Sequence, residues 1–155
     1  MSEEYRFIGK RTPRKDAHDI VTGRARFADD LKIPDMLYGK ILRSPYPHAL
    51  IREIDTRAAE AMPDVKAVLT YKNVPDWRAG FPRHVPVLDR KLRFVGDAVA
   101  LVAARSQERA QQALDAIHVE YEELPAVYDA EEAIQPGAPQ LYPEFPQNIL
   151  PSNIR

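Results

Sequence analysis

The chain of 155 residues contains no cysteine. That absence excludes disulfide staples, thiolate zinc sites, cysteine-ligated iron–sulfur clusters and thiol nucleophiles. No apolar run approaches the ~20 residues of a membrane span, and the opening MSEEYRFIGKRTPRK lacks the apolar stretch of a secretory signal. A cytoplasmic protein with no membrane contact is therefore expected. Glycine is scarce: the six glycines are spaced too widely for a GxGxxG or GxxxxGK[ST] phosphate cradle. Of the four histidines, only His18 sits near other ligand types, Asp16 and Asp19. Such short-range spacing does not converge three or four ligands on one ion, so no metal site is expected. The net charge of −1 lacks the basic excess of a nucleic-acid binder.

What is present is an ordinary globular composition, 45% apolar and 29% charged, of single-domain size. Charge is uneven along it. Residues 1–109 hold 21 basic and 15 acidic residues, whereas 110–155 hold only Arg155 against 8 acidic residues. Three regions separate. Residues 1–20 form a polar extension with Arg6, Lys10, Arg11, Arg14 and Lys15. Residues 21–134 carry dense periodicity. Residues 135–155 include Pro136, Pro139, Pro143, Pro146 and Pro151, which exclude a regular helix or central strand and predict an extended strap or linker.

The sharpest local signal begins at AVALVAA, 98–104, a continuous apolar run that reads as a buried strand. Ser106 is placed to cap a following helix, whose Ala110, Ala113, Leu114 and Ile117 share one face by their i, i+3, i+4, i+7 spacing. The alternation in 118–124 predicts a second strand, stopped by Pro125. Strand, helix, strand over this length predicts a crossover joining parallel neighbours. Earlier, 36–43, 50–54 and 65–70 read as strands, with a short helix from Asp55 or Thr56 through Met62. Between the two units, 71–91 is a long loop without a period. The fold class is α+β, a mixed sheet covered by two helices.

Chemistry is hard to find. Asp29-Asp30, Glu122-Glu123 and Glu131-Glu132 are paired carboxylates, but strand neighbours point to opposite faces and do not converge. Ser44 and His48 lack the GxSxG setting of a nucleophile. No catalytic residue is expected. The 71–91 loop is the exception in composition: Trp77, Phe81 and His84 stand among Arg78, Arg83 and Arg90, bounded by prolines. Such a surface could take planar or anionic ligands; alternatively, Trp77 and Phe81 plug a sheet edge.

Ordered blocks along 16–134 carry a resemblance. They include Val21-Thr22-Gly23-Arg24-Ala25, Phe27-Ala28-Asp29-Asp30-Leu31, and Leu37-Tyr38-Gly39-Lys40-Ile41-Leu42-Arg43-Ser44-Pro45 with His48-Ala49. Further on come Val65-Lys66-Ala67-Val68-Leu69-Thr70, Arg93-Phe94-Val95-Gly96-Asp97-Ala98-Val99-Ala100 and Val119-Glu120-Tyr121-Glu122-Glu123-Leu124-Pro125. Together they resemble the N-terminal α/β-hammerhead domain of the molybdenum-binding subunit of the xanthine dehydrogenase and aldehyde oxidase family. The resemblance implies a hammerhead fold over 21–134. It also implies an enzyme that hydroxylates an aldehyde or N-heterocycle with water-derived oxygen. Molybdopterin would carry its molybdenum, and [2Fe–2S] clusters and FAD in partner domains or subunits would take the electrons.

The family's glycine-rich cofactor segment, molybdenum-site arginine and glutamate base lie beyond the hammerhead, so none of them maps onto this chain. The expectation is thus of an inactive, truncated piece that binds no cofactor itself, packs on downstream molybdopterin domains and self-associates when separated from them. In the resembled enzymes the loop holding Trp77, Phe81 and His84 borders the substrate funnel. A stand-alone hammerhead binding or assembly module is the alternative.

Overall fold

The computed structural model describes residues 5, 7–80 and 85–150. The chain divides into two compact units, 1–36 and 37–155. The first is built from local contacts. Helix α1, Ala17–Val21, and a 3₁₀ turn at Ala28–Asp30 bury no residue. Arg14 makes a forked pair with Asp16 at 2.8 and 2.6 Å, and Asp30 Oδ2 accepts from the Phe27 N–H at 3.0 Å. Residue 20, where the sequence places the end of an extension, lies inside α1.

The second unit holds the sheets. Strands β1 (Tyr38–Arg43), β2 (Ala49–Asp55) and β3 (Val65–Thr70) follow the predicted pattern. Helix α2, Arg57–Glu60, is shorter than predicted, and its first turn is held by Asp55, whose Oδ1 accepts from the Arg57 N–H at 3.0 Å. The 71–91 region contains a small hairpin, β4 (Arg78–Ala79) with β5 (Val85–Pro86). Then come β6 (Lys91–Leu92), β7 (Ala98–Ala104), helix α3 (Gln107–Asp115) and β8 (His118–Glu123). A last short helix, α4, spans Ala130–Ala133.

The expected parallel crossover is not formed. β7 is the centre of one sheet, ordered β1-β7-β3, and β8 is an edge of another, ordered β6-β2-β8. Every pairing among these strands is antiparallel, so two antiparallel sheets stand in place of one mixed sheet. Helix α3 carries the chain from the first sheet to the second. Its predicted face is the one buried: Ala110, Ala113, Leu114 and Ile117 join Val99, Val102, Ile51, Ile54 and Leu92 in a single core. Helices α2 and α3 pack on the same sheet through β3, β1 and β7.

Ser106 caps α3 as its spacing predicts: extended backbone, with Oγ accepting from the Arg109 N–H at 3.1 Å. Ser106→Ala should therefore cost about 1 kcal/mol, read as a lower urea midpoint at unchanged slope. Ser106→Asp should restore it, because aspartate caps as well as serine and favours the positive helix end. At position 96 the turn requires glycine. Gly96 turns at φ 92°, which lets its N–H reach the Ser44 carbonyl at 2.8 Å while Asp97 O accepts from the Ser44 N–H at 2.8 Å.

Candidate functional site

The 71–91 loop is anchored at both ends. At its start, Asn73 folds back: its Oδ1 accepts from the Thr70 N–H at 2.8 Å and its Nδ2 donates to Val68 O at 2.9 Å. Trp77 follows Pro75-Asp76, and the Val87 N–H closes the hairpin onto Trp77 O at 2.8 Å. Gly80, directly after β4, has φ 89°. Trp77 is 61% exposed, so it does not plug the sheet edge. It lines an open concavity of about 590 Å³ with Asp76, Arg78, Ala79 and Gly80. Phe81 and His84, the other two candidate funnel residues, lie outside the described residues, as does Arg83.

The two described arginines of the loop, Arg78 and Arg90, both make structural bonds. Arg78 bonds Asp76 at 3.3 Å and Glu144 at 3.0 Å. Arg90 Nε donates to Ile51 O at 3.1 Å, lacing the loop to the central strand. Arg78 is thus held between two carboxylates, and Arg90 is tied to the sheet through its Nε.

Beyond the loop lies a cluster that sequence reasoning missed. The Arg93 side chain is 8% exposed and pairs with Asp89 at 2.6 Å. Its other nitrogens donate to Lys91 O at 2.8 Å and Leu141 O at 3.2 Å. Its guanidinium lies 4.7 Å above the Tyr142 ring, a cation–π geometry. Lys91 Nζ donates to Gln140 O at 2.5 Å. Burial, aided by the nearby Arg93 charge, pulls the Lys91 ammonium below the usual lysine range, and burial pushes Asp97 above the usual carboxylate range. The described part of the proline-rich strap, 135–150, holds no strand and only a 3₁₀ turn at Pro146–Asn148, yet it is fixed to this cluster. Within it, Asn148 donates to Ala133 O at 2.9 Å and Pro139 O at 3.0 Å and accepts from the Leu141 N–H at 2.8 Å.

The remaining sequence candidates are structural or solvated. Ser44 is buried and exchanges hydrogen bonds with Tyr46. His48 is 4% exposed, with Nδ1 2.5 Å from Pro125 O; its Nε2 finds no partner among the described residues. His118 and Glu120 face solvent 4.0 Å apart. Glu122 pairs with Arg52 across the second sheet.

No group of three or more His, Asp or Glu that could hold a metal occurs among the described residues. The chain has no thiolate for an iron–sulfur cluster. No helix among the described residues is long and apolar enough to cross a membrane.

Comparison with known proteins decides the family. Residues 22–125 match the family described as aldehyde oxidase and xanthine dehydrogenase, a/b hammerhead domain. The chain belongs to that family. It is 44% identical over 140 residues to a probable xanthine dehydrogenase subunit of Bacillus subtilis, covering 88% of this chain and 18% of that protein. It is 41% identical over 145 residues to the nicotinate dehydrogenase large molybdopterin subunit of Eubacterium barkeri, covering 92% of this chain and 34% of that one. The CO dehydrogenase of Oligotropha carboxidovorans superposes with a TM-score of 0.76 at 34% identity, covering 84% of this chain and 17% of the other. The hammerhead α+β fold is thus shown, and this chain spans a minor part of each relative.

Proposed function

We propose that this chain is the hammerhead domain of the large subunit of a molybdenum hydroxylase, packed on the domains that bind molybdopterin. The observation that carries this reading is the family match over 22–125 within relatives several times longer. In the assembled enzyme, molybdopterin supplies the oxidising centre for hydroxylating an aldehyde or N-heterocycle with water-derived oxygen. Partner domains or subunits with [2Fe–2S] clusters and FAD take the electrons. The hammerhead contributes no reacting group. The matching experiment is expression of the large subunit with its partners. Stoichiometric molybdenum and incorporation of ¹⁸O from labelled water into product are expected. An active enzyme without molybdenum, or with oxygen drawn from O₂, defeats the reading.

Within it, the loop of Trp77, Phe81 and His84 borders the substrate path. The exposed indole of Trp77 beside an open concavity supports this. Trp77→Ala in the full subunit should raise KM about five-fold for a planar substrate with kcat unchanged, the signature of lost uniform binding. The melting temperature should hold, since little buried area is lost. Unchanged KM for both bulky and small substrates removes the loop from the path.

A further inference from the structure

The sheet β1-β7-β3 has helices on one face only. Its other face carries two cross-strand rows. Ladder pairing sets Ile41 beside Leu101 and Leu101 beside Leu69, and it sets Gly39 beside Ala103 and Ala103 beside Ala67. The first row is tall, and Ile41 is 41% exposed. The second is low, and a Cβ placed at Gly39 would meet nothing within 4 Å. Tall row beside low row makes an apolar groove of about 360 Å³. Alternation should have made this face polar if it met water. The charged residues of these three strands are Lys40, Arg43 and Lys66, with no carboxylate among them. The second sheet is mainly acidic, with Glu53, Asp55, Glu120, Glu122 and Glu123 against Arg52 and Lys91 on its strands.

We propose that this groove is where the hammerhead docks on the rest of its own large subunit, against an apolar ridge that carries a carboxylate. The proposal rests on the molybdenum hydroxylase reading and adds the surface and the chemistry of its partner. Size decides between occupants. A stable interface between separate molecules takes roughly 800 Å² per partner, and two short rows containing glycine and two alanines fall well short. A second copy of the chain is therefore not held there. A segment of the same polypeptide arrives at millimolar effective concentration and needs no such area. The relatives supply that polypeptide, since this chain covers 18% of one and 34% of another. Arg43, exposed and two residues beyond Ile41 on β1, stands on the same face at the end of the groove and selects a carboxylate on the partner.

The test uses the absence of cysteine. Ile41→Cys and Leu69→Cys, with Glu53→Cys on the other sheet as control, are made in the 155-residue chain and in the large subunit of the assembled enzyme. Each site's maleimide labelling rate is read by peptide mass spectrometry. Both groove sites should label readily in the short chain and at least ten-fold more slowly in the enzyme, while the control changes little. Gly39→Leu, whose Cβ meets nothing within 4 Å inside the domain, should leave the short chain's melting temperature unchanged and lower that of the large subunit. Equal labelling in both contexts overturns the proposal. So does slow labelling in the short chain accompanied by dimers in sedimentation, which assigns the groove to a second copy. Molybdenum content is measured on the same samples. Groove sites that stay reactive in a molybdenum-loaded enzyme sink the docking surface alone. Protected groove sites in a large subunit without molybdenum sink the hydroxylase reading and leave the surface standing.

Discussion

Ile51→Ala should lower the stability of the hammerhead by about 3 kcal/mol, within the 2–5 kcal/mol usual for deleting a buried branched side chain. Ile51 is fully buried. It lies on the central strand of its sheet, opposite Tyr121 on β8, and its N–H donates to Arg90 O at 2.9 Å. Strands on both sides and helix α3 in the same core leave little freedom for the site to collapse onto the cavity. Ile51→Val, which removes one methylene, should cost about 1 kcal/mol. Because a domain of this size has only ~5–15 kcal/mol in hand, the alanine variant should show a large drop in urea midpoint at nearly constant slope. A cost below about 1 kcal/mol, under the usual range for such a deletion, would mean that the two sheets do not share this core.

The same core shows what a sequence can and cannot reveal. Apolar spacing reports which side of an element is buried, and there it is accurate. Ala110, Ala113, Leu114 and Ile117 are all buried, and the 98–104 run is a central strand. Spacing does not report which strand lies alongside. β7 pairs with β1, about 60 residues earlier, and with β3, about 35 earlier, while α3 hands the chain to a different sheet. A parallel crossover and a change of sheets produce the same strand–helix–strand pattern, so only the tertiary partners separate them.

The candidate site is legible in composition more than in geometry. An aromatic in a proline-bounded loop is visible in the sequence, and Trp77 is indeed exposed. The neighbouring arginines read as an anion surface, but carboxylates and carbonyls distant in sequence claim Arg78 and Arg90. The Arg93 cluster leaves no trace at all. Two of its acceptors are the backbone carbonyls of Lys91 and Leu141, and every residue has a carbonyl. Prolines at 136–151 announce irregular backbone; they say nothing about whether that backbone is held.

Arg93 is where that holding can be tested. Arg93→Met keeps the length of the apolar stem and removes the fork. It leaves the Asp89 carboxylate without its 2.6 Å partner, frees the Lys91 and Leu141 carbonyls and ends the stacking on Tyr142. Breaking a fully buried pair costs about 3–5 kcal/mol. Asp89 remains 31% exposed and can be rehydrated, so about 2–3 kcal/mol is expected here. Arg93→Lys should recover less than half, because an ammonium cannot serve three acceptors in one plane. The loss should be local first. The Leu141 amide, bonded to Asn148, should exchange at least about ten-fold faster as the strap lifts. Val102, deep in β7 and 2% exposed, should keep its protection until global unfolding. Asp89→Asn, which keeps every Arg93 contact to backbone, should release the strap much less. If the Leu141 amide exchanges at the same rate in Arg93→Met as in the parent, the strap is held by its own turns and Asn148, and Arg93 serves only the loop on which it sits.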